Sequence, residues 1–142
     1  MAWITPIYDR TATDVTNKVQ KAYQDYIFYN RIEENTEYIE TIATAQGYPL
    51  SFTTKYDWDN EDIQIRTNTE RIIDNLEDIE STIPTATPSP PSDMRFLTFG
   101  EANDMEEILF NSKAIIEGIV ENYLVASFSG GTDRTRQYLQ RG

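Results

Sequence analysis

The side chains in this sequence with the means to do chemistry are carboxylates. Glu33, Glu34, Glu37 and Glu40 recur along one stretch, and two carboxyl groups act as general acid and base when one sits in an apolar cleft with a raised pKa. On a helix these four fall on the side away from the isoleucines of the same stretch. Nothing in the sequence buries them, so they read as a solvated acidic face. Asp57, Asp59 and Glu61, in DWDNED, alternate as hard oxygen ligands do in calcium loops. Such a loop takes Gly at its sixth position and Glu at its twelfth, where this chain has Asp62 and Asn68. Helix capping accounts for these acids better. The chain has no cysteine and no histidine, which removes the thiolate nucleophile, the commonest general base and the commonest metal ligand together. Ser129-Gly130-Gly131-Thr132 lacks the lysine of a phosphate loop, and no nucleophile elbow or dinucleotide fingerprint is present. Residue chemistry supports no reaction and implies no cofactor.

Charge narrows the partners. Over 142 residues, 24 acidic side chains stand against 12 basic ones, a net charge of −12. From Asp25 to Glu80 there are 14 acids against Arg31, Lys55, Arg66 and Arg71. Such a face repels DNA, RNA and anionic lipid, because phosphate neutralisation needs clustered Lys and Arg. The aromatic group Tyr23, Tyr26, Phe28, Tyr29 and Tyr38 lacks the basic surround of a base-stacking platform and is expected to pack in a core or an interface. No run reaches the roughly 18 apolar residues that span a membrane. The start, MAWITPIYDR, has no basic region and no long apolar run, so it does not read as a secretory signal. The chain is expected to stay in the cell that makes it, unless it leaves within a larger particle.

Helices must position whatever these residues do. In Asn30 to Ile42, NRIEENTEYIETI, the residues Ile32, Asn35, Ile39 and Ile42 step by three, four and three, a helical seam. Ile72, Asn75, Ile79 and Ile108, Asn111, Ile115 repeat the pattern I-x-x-N-x-x-x-I. A seam asparagine is either buried, where it fixes register or oligomer state, or turned to water beside the seam. Asn35 is expected to be buried; both readings stay open for Asn75 and Asn111. The isoleucines and asparagines of the three echoes are the expected interface and register positions.

In chain order, residues 1–10 hold Trp3, Ile4, Pro6, Ile7 and Tyr8 and read as an extended arm. Thr11 with Asp14 forms a capping box, and Val15, Val19, Ala22 and Tyr26 continue as a helical stripe. No Gly or Pro interrupts residues 11–46, which favours one long helix; the alternative is a second helix capped by Asp25. Gly47 and Pro49 end it, and residues 47–58 form a loop or short strand. Asp59, with Asp62, caps the next helix, whose seam Ile65, Thr69, Ile72, Leu76, Ile79, Ile83 is heptad-like and suits antiparallel packing, so that 11–83 form a helical hairpin. Residues 84–95 are a Pro-rich, polyproline-like linker. Thr98 with Glu101 caps a third helix over 96–126, with Met105, Ile108, Ser112, Ile115 and Ile119 on its seam, fading near Asn122. Tyr123 to Phe128 is β-prone, Gly130-Gly131 is a flexible joint, and residues 127–142 form a basic tail with Arg134, Arg136, Arg141, Tyr138 and Leu139. The expected fold is all-α, three main helices in an elongated bundle or helical hairpin.

Trp3-Ile4-Thr5-Pro6, then Tyr8-Asp9-Arg10-Thr11-x-x-Asp14-Val15, then Asn30-Arg31-Ile32-Glu33-x-Asn35-x-x-Tyr38-Ile39, resembles a module of structural proteins in tailed bacteriophages and prophages of Gram-positive gut bacteria. There a TP-x-x-DRT-x-x-DV opening leads into an NRIE-x-N-x-x-YL helix. The match covers the first third of the chain, with weaker echoes at Thr69 to Ile79 and Thr98 to Ile115. The segment between the two motifs is shorter than in that module. No large β-rich receptor-binding or enzymatic domain accompanies them, so the resemblance implies an adaptor, collar, tail or baseplate component.

The expected function is therefore a non-enzymatic virion protein, assembled in the host cytoplasm, that forms a homo-oligomer and connects other virion structural proteins. Two other classes stand beside it: an intracellular helical adaptor, assembly chaperone or regulator that binds a partner through the isoleucine seam, and a carboxylate-based wall hydrolase. The arm at Trp3, Ile4 and Tyr8 and the tail at Tyr138, Leu139 and Arg141 are expected to be docking arms ordered by neighbouring chains.

Overall fold

Helix starts in this chain follow local side-chain chemistry closely. Thr11 Oγ1 accepts from the Asp14 backbone N–H while the Asp14 carboxylate accepts from the Thr11 N–H, and Thr98 with Glu101 repeats that reciprocal pair. Between them the computed structural model, which describes residues 3–55, 57–59, 66–83, 88–94 and 97–133 (without the side chains of 66–68 and 119–133), shows an all-α fold. Helix α1 is Ala12–Thr16, followed by a 3-10 turn, Gln20–Ala22; α2 is Tyr26–Ala45, α3 is Arg66–Thr82 and α4 is Phe99–Asp133. No strand occurs among the described residues.

The single helix favoured over 11–46 is not what forms. Lys18 takes a positive φ of 56° and Val19 is extended, which ends the first helical piece. The 3-10 turn follows, and Asp25 opens α2 as its N-cap, its carboxylate accepting from the Ile27 and Phe28 N–H groups. The reason lies in the stripe. Val15, Val19 and Tyr26 are all exposed and only Ala22 is buried, so a continuous helix would have had no core to rest on. Arg10 also takes the Lys21 carbonyl for its own Nε–H, an acceptor that a helix would use internally.

Helix α2 ends in a Schellman arrangement. Gly47, at φ +90°, donates to the Thr44 carbonyl and Tyr48 to the Ala43 carbonyl. The chain then runs back along α2 in extended form: Leu50 lies at Thr44, the Phe52 N–H at the Glu40 carboxylate, and Trp58 at Asn30. Helices α2 and α3 are thus joined by a long return, and Arg71 of α3 meets Glu33 of α2. Helices α2 and α4 rise in the same direction, since Arg31 faces Glu106 and Tyr38 faces Glu117. Beyond α3, residues 88–94 carry no helix, in keeping with their prolines, and Met94 joins the core.

That core absorbs the isoleucine rows. Ile32, Ile39, Ile72, Ile79 and Ile108 are fully or nearly fully buried in one cluster with Phe28, Leu76, Met105, Leu109 and Ile116. Ile115 is only half-buried; the α4 stripe drifts so that Leu109 and Ile116 take the inner positions. The rows expected to face other proteins are consumed within their own chain. Helix α4 also continues as backbone through Gly130-Gly131 to Asp133, past the expected break at Tyr123 to Phe128. The expected cap at Asp62, seam residue Ile65, and Tyr138, Leu139 and Arg141 lie outside the described residues, as does the side chain of Ile119.

The break before α2 gives a direct test by urea unfolding. Asp25→Ala is expected to cost about 1 kcal/mol through loss of the cap. Val15→Ser is expected to stay within about 0.5 kcal/mol of the parent, because Val15 touches no core; a larger loss would restore the continuous helix.

Candidate functional site

The residues of the two quoted motifs converge on one place. The arm from Trp3 to Arg10 runs antiparallel to both α2 and α4: Trp3 lies against Tyr38, Ile4 at Asn35, Ile7 at Glu106, and Arg10 at Asn103. At its centre is Glu106, whose side chain is wholly buried between two arginines. Its Oε1 accepts from Arg31 Nε at 2.7 Å and from the Ile7 backbone N–H at 3.0 Å. Its Oε2 accepts from Arg31 Nη2 at 2.7 Å and Arg10 Nη2 at 2.6 Å. Both oxygens are saturated, which is the condition for a buried charge to be tolerated at all. Arg10 is equally spent: Nη1 donates to the Ile7 carbonyl and to Asn103 Oδ1, and the guanidinium lies 5.3 Å from the Phe28 ring centre.

A second buried carboxylate does the same for the return segment. Glu33 accepts from Trp58 Nε1 at 2.7 Å and from both Arg71 Nη groups, and Arg71 also donates to the Thr53 carbonyl. Glu33 was expected on a solvated acidic face; it is 1% exposed. The expectation fails because extended chain covers that side of α2 as well and brings Trp58 and Arg71 to it. Glu40 is only half-buried and holds the Phe52 N–H, while Glu34 and Glu37 are half-buried too. Every carboxylate oxygen of Glu33 and Glu106 accepts at least one hydrogen bond from within the chain, and no group of three metal-ligating side chains occurs among the described residues.

Asparagines complete the arrangement in an unexpected way. Asn35, fully buried, takes the Ile4 N–H on Oδ1 at 2.9 Å and gives Nδ2 to the Ile4 carbonyl at 2.8 Å. Asn103 pairs with both backbone groups of Arg10, at 3.1 and 3.0 Å, and Asn30 with both of Trp58, at 2.8 and 3.4 Å. Asn75, also buried, donates to the Thr53 carbonyl. Each amide stands where a neighbouring β-strand would, satisfying extended backbone against the side of a helix. The seam asparagines Asn35 and Asn75 therefore hold this chain's own segments. Asn111 is half-buried on α4.

The docking-arm expectation changes accordingly at the N-terminal end. Trp3 is half-buried, 5.3 Å from the Tyr38 ring with Lys113 Nζ over its face, and Ile4 is clamped by Asn35. The arm is ordered by its own chain. Sequence reasoning does not single out Glu106, Asn103, Trp58 or Arg71. One signal was present: Glu106 falls within the apolar register of Ala102, Met105 and Leu109, while Arg10 follows an apolar arm, and an acid and a base so placed find each other.

Some large apolar side chains remain outside. Tyr8 and Phe110, ring centres 5.1 Å apart, wall a surface hollow of about 440 Å³ that Pro6 and Ile7 also line. A smaller hollow lined by Ile7, Tyr23 and Ile27 adjoins it across Ile7 and Lys21. Tyr8, Tyr23, Ile27 and Phe110 are each about 40% exposed. Comparison with protein families, with curated proteins and with solved structures finds no match in any of the three.

Two predictions follow the electrostatics. Glu106→Ala leaves two buried guanidiniums unpaired and is expected to cost about 3–5 kcal/mol in urea unfolding and to free the arm to limited proteolysis. Desolvation first, and the Glu101 charge second, hold the Asp104 carboxyl above the ordinary carboxylate range. The folded state thus keeps the Asp104 proton more firmly, so this group's contribution falls as pH rises through its raised pKa. Asp104→Asn is expected to raise Tm by about 1–2 °C at pH 7 and to change nothing at pH 3, where the carboxyl is protonated both folded and unfolded.

Proposed function

We propose that the chain is a non-enzymatic structural protein of a tailed-bacteriophage virion, a tail, collar or baseplate component that oligomerises and connects other virion proteins. The observation that carries this reading is the strip of large apolar side chains at Tyr23, Ile27, Ile7, Tyr8 and Phe110, left at the surface of a chain whose isoleucine rows are already buried. A neighbour that covers such a strip removes apolar area from water, at about 25 cal/mol per Å². The motif residues support it from the other side. Arg10, Asn30, Arg31, Glu33 and Asn35 spend their polar atoms on holding chain segments together. A part whose surface is its function needs a rigid shape behind that surface.

The alternative of a regulator binding through the isoleucine seam loses its ground, because Ile32, Ile39, Ile72, Ile79 and Ile108 are reachable only by unfolding. Light scattering on the size-exclusion eluate, across a hundredfold range of concentration, tests the proposal. A defined assembly of three or more copies is expected, reduced in mass by Ile27→Asp. A monomer at every concentration would overturn it.

A further inference from the structure

The hollow beside the arm has two features that bear on what fills it. Its walls, Pro6, Ile7, Tyr8 and Phe110, are apolar, and its volume of about 440 Å³ is in the range that takes one or two large side chains. Its rim is not neutral. Lys21 also lines it but is shared between Asp9 at 3.3 Å and Asp14 at 3.4 Å, so two acids face one lysine and the Asp9 carboxylate stays 77% exposed; Glu107 lies on α4 one turn before Phe110. An occupant that suits both features presents adjacent apolar side chains between positive charges.

The chain itself contains such a segment. Residues 134–142, RTRQYLQRG, place Tyr138 and Leu139 between Arg136 and Arg141. They hold three arginines and no acid, whereas residues 1–133 hold nine basic side chains against 24 acidic ones. The attraction between segment and body is thus built into the composition.

Distance decides whose hollow the segment can fill. Asp133, the last residue of α4, lies 23 residues beyond Phe110 on that helix, which is about 35 Å of axis. From Asp133 to Leu139 is six residues, at most about 21 Å of fully extended chain. Tyr138 and Leu139 fall short of the hollow of their own chain. We infer that they seat in the hollow of a second copy, with Arg136 and Arg141 against its Asp9 and Glu107. This rests on the assembly reading above and deepens it, since the contact joins two different surfaces. Such head-to-tail contacts propagate, closing into a ring or running on as a filament.

Two full-length variants test it by complementation. Tyr138→Asp/Leu139→Asp keeps the hollow and loses the plug; Phe110→Asp keeps the plug and spoils the hollow at a residue that is 40% exposed, so its fold and Tm should hold. Each variant alone is expected to run as a monomer by size exclusion with light scattering. An equimolar mixture is expected to double that mass, because one good contact per pair remains. A mixture that stays monomeric overturns the inference. So does a tail variant that assembles like the parent, and in that case the assembly reading survives by another surface. A parent chain that is monomeric at every concentration removes both. If Phe110→Asp lowers Tm by more than a few degrees, Tyr8→Asp replaces it on the opposite wall, with the same outcomes required.

Discussion

A carboxylate taken wholly out of water must be surrounded by donors, and in this protein acceptor and donors come from three separate stretches of chain. Glu106 of α4 meets Arg31 of α2 and both the Arg10 side chain and the Ile7 backbone of the arm. The desolvation cost of that one charge is offset only if all of them arrive, so the position of each element is tied to the others. The apolar core supplies the larger share of stability but would tolerate sliding. The buried ion cluster does not, because a shift of an ångström or two leaves a charge uncompensated. The second cluster, Glu33 with Arg71 and Trp58, ties the return segment and α3 to the opposite side of α2 in the same manner.

The elements were legible where their cause was local. Both capping boxes, the stop at Gly47 and the α3 seam could be read from neighbouring residues, because hydroxyls, carboxylates and glycine act within a turn of where they stand. The break before α2 was not, because it depends on whether Val15 and Val19 find a core, which is a property of the whole chain. The acidic face was misread for the same reason. Glu33 looks like any solvated helix glutamate until Trp58 and Arg71, 25 and 38 residues on, come to cover it. The asparagine rows were seen as a pattern, but their partners lay on extended backbone, which carries no sequence signature of what it will pair with.

That pairing explains how two long extended segments lie against helices in this all-α protein, with no strand among the described residues. Backbone N–H and C=O groups laid against a helix face ordinarily lose water and gain nothing, since the helix spends its own backbone internally. A primary amide on the helix side offers one donor and one acceptor at the spacing of a strand neighbour. Asn30, Asn35 and Asn103 each serve one extended residue in this way. Replacing any of them by a charged or longer residue of similar helix propensity would keep the helix and lose the strap.

The strap also orders events in time. The Ile7 amide and Arg10 are held by residues 93 to 99 positions further along. During synthesis the arm therefore leaves the ribosome long before the helix that will grip it exists. It must wait, hydrated and uncommitted, until α4 has been made, and only then can Glu106 lose its water. Closure of this loop is a late, long-range step, so maturation is set by the last helix rather than the first. In a crowded cell, that interval is when a nascent chain is open to proteases and to premature contact with its siblings.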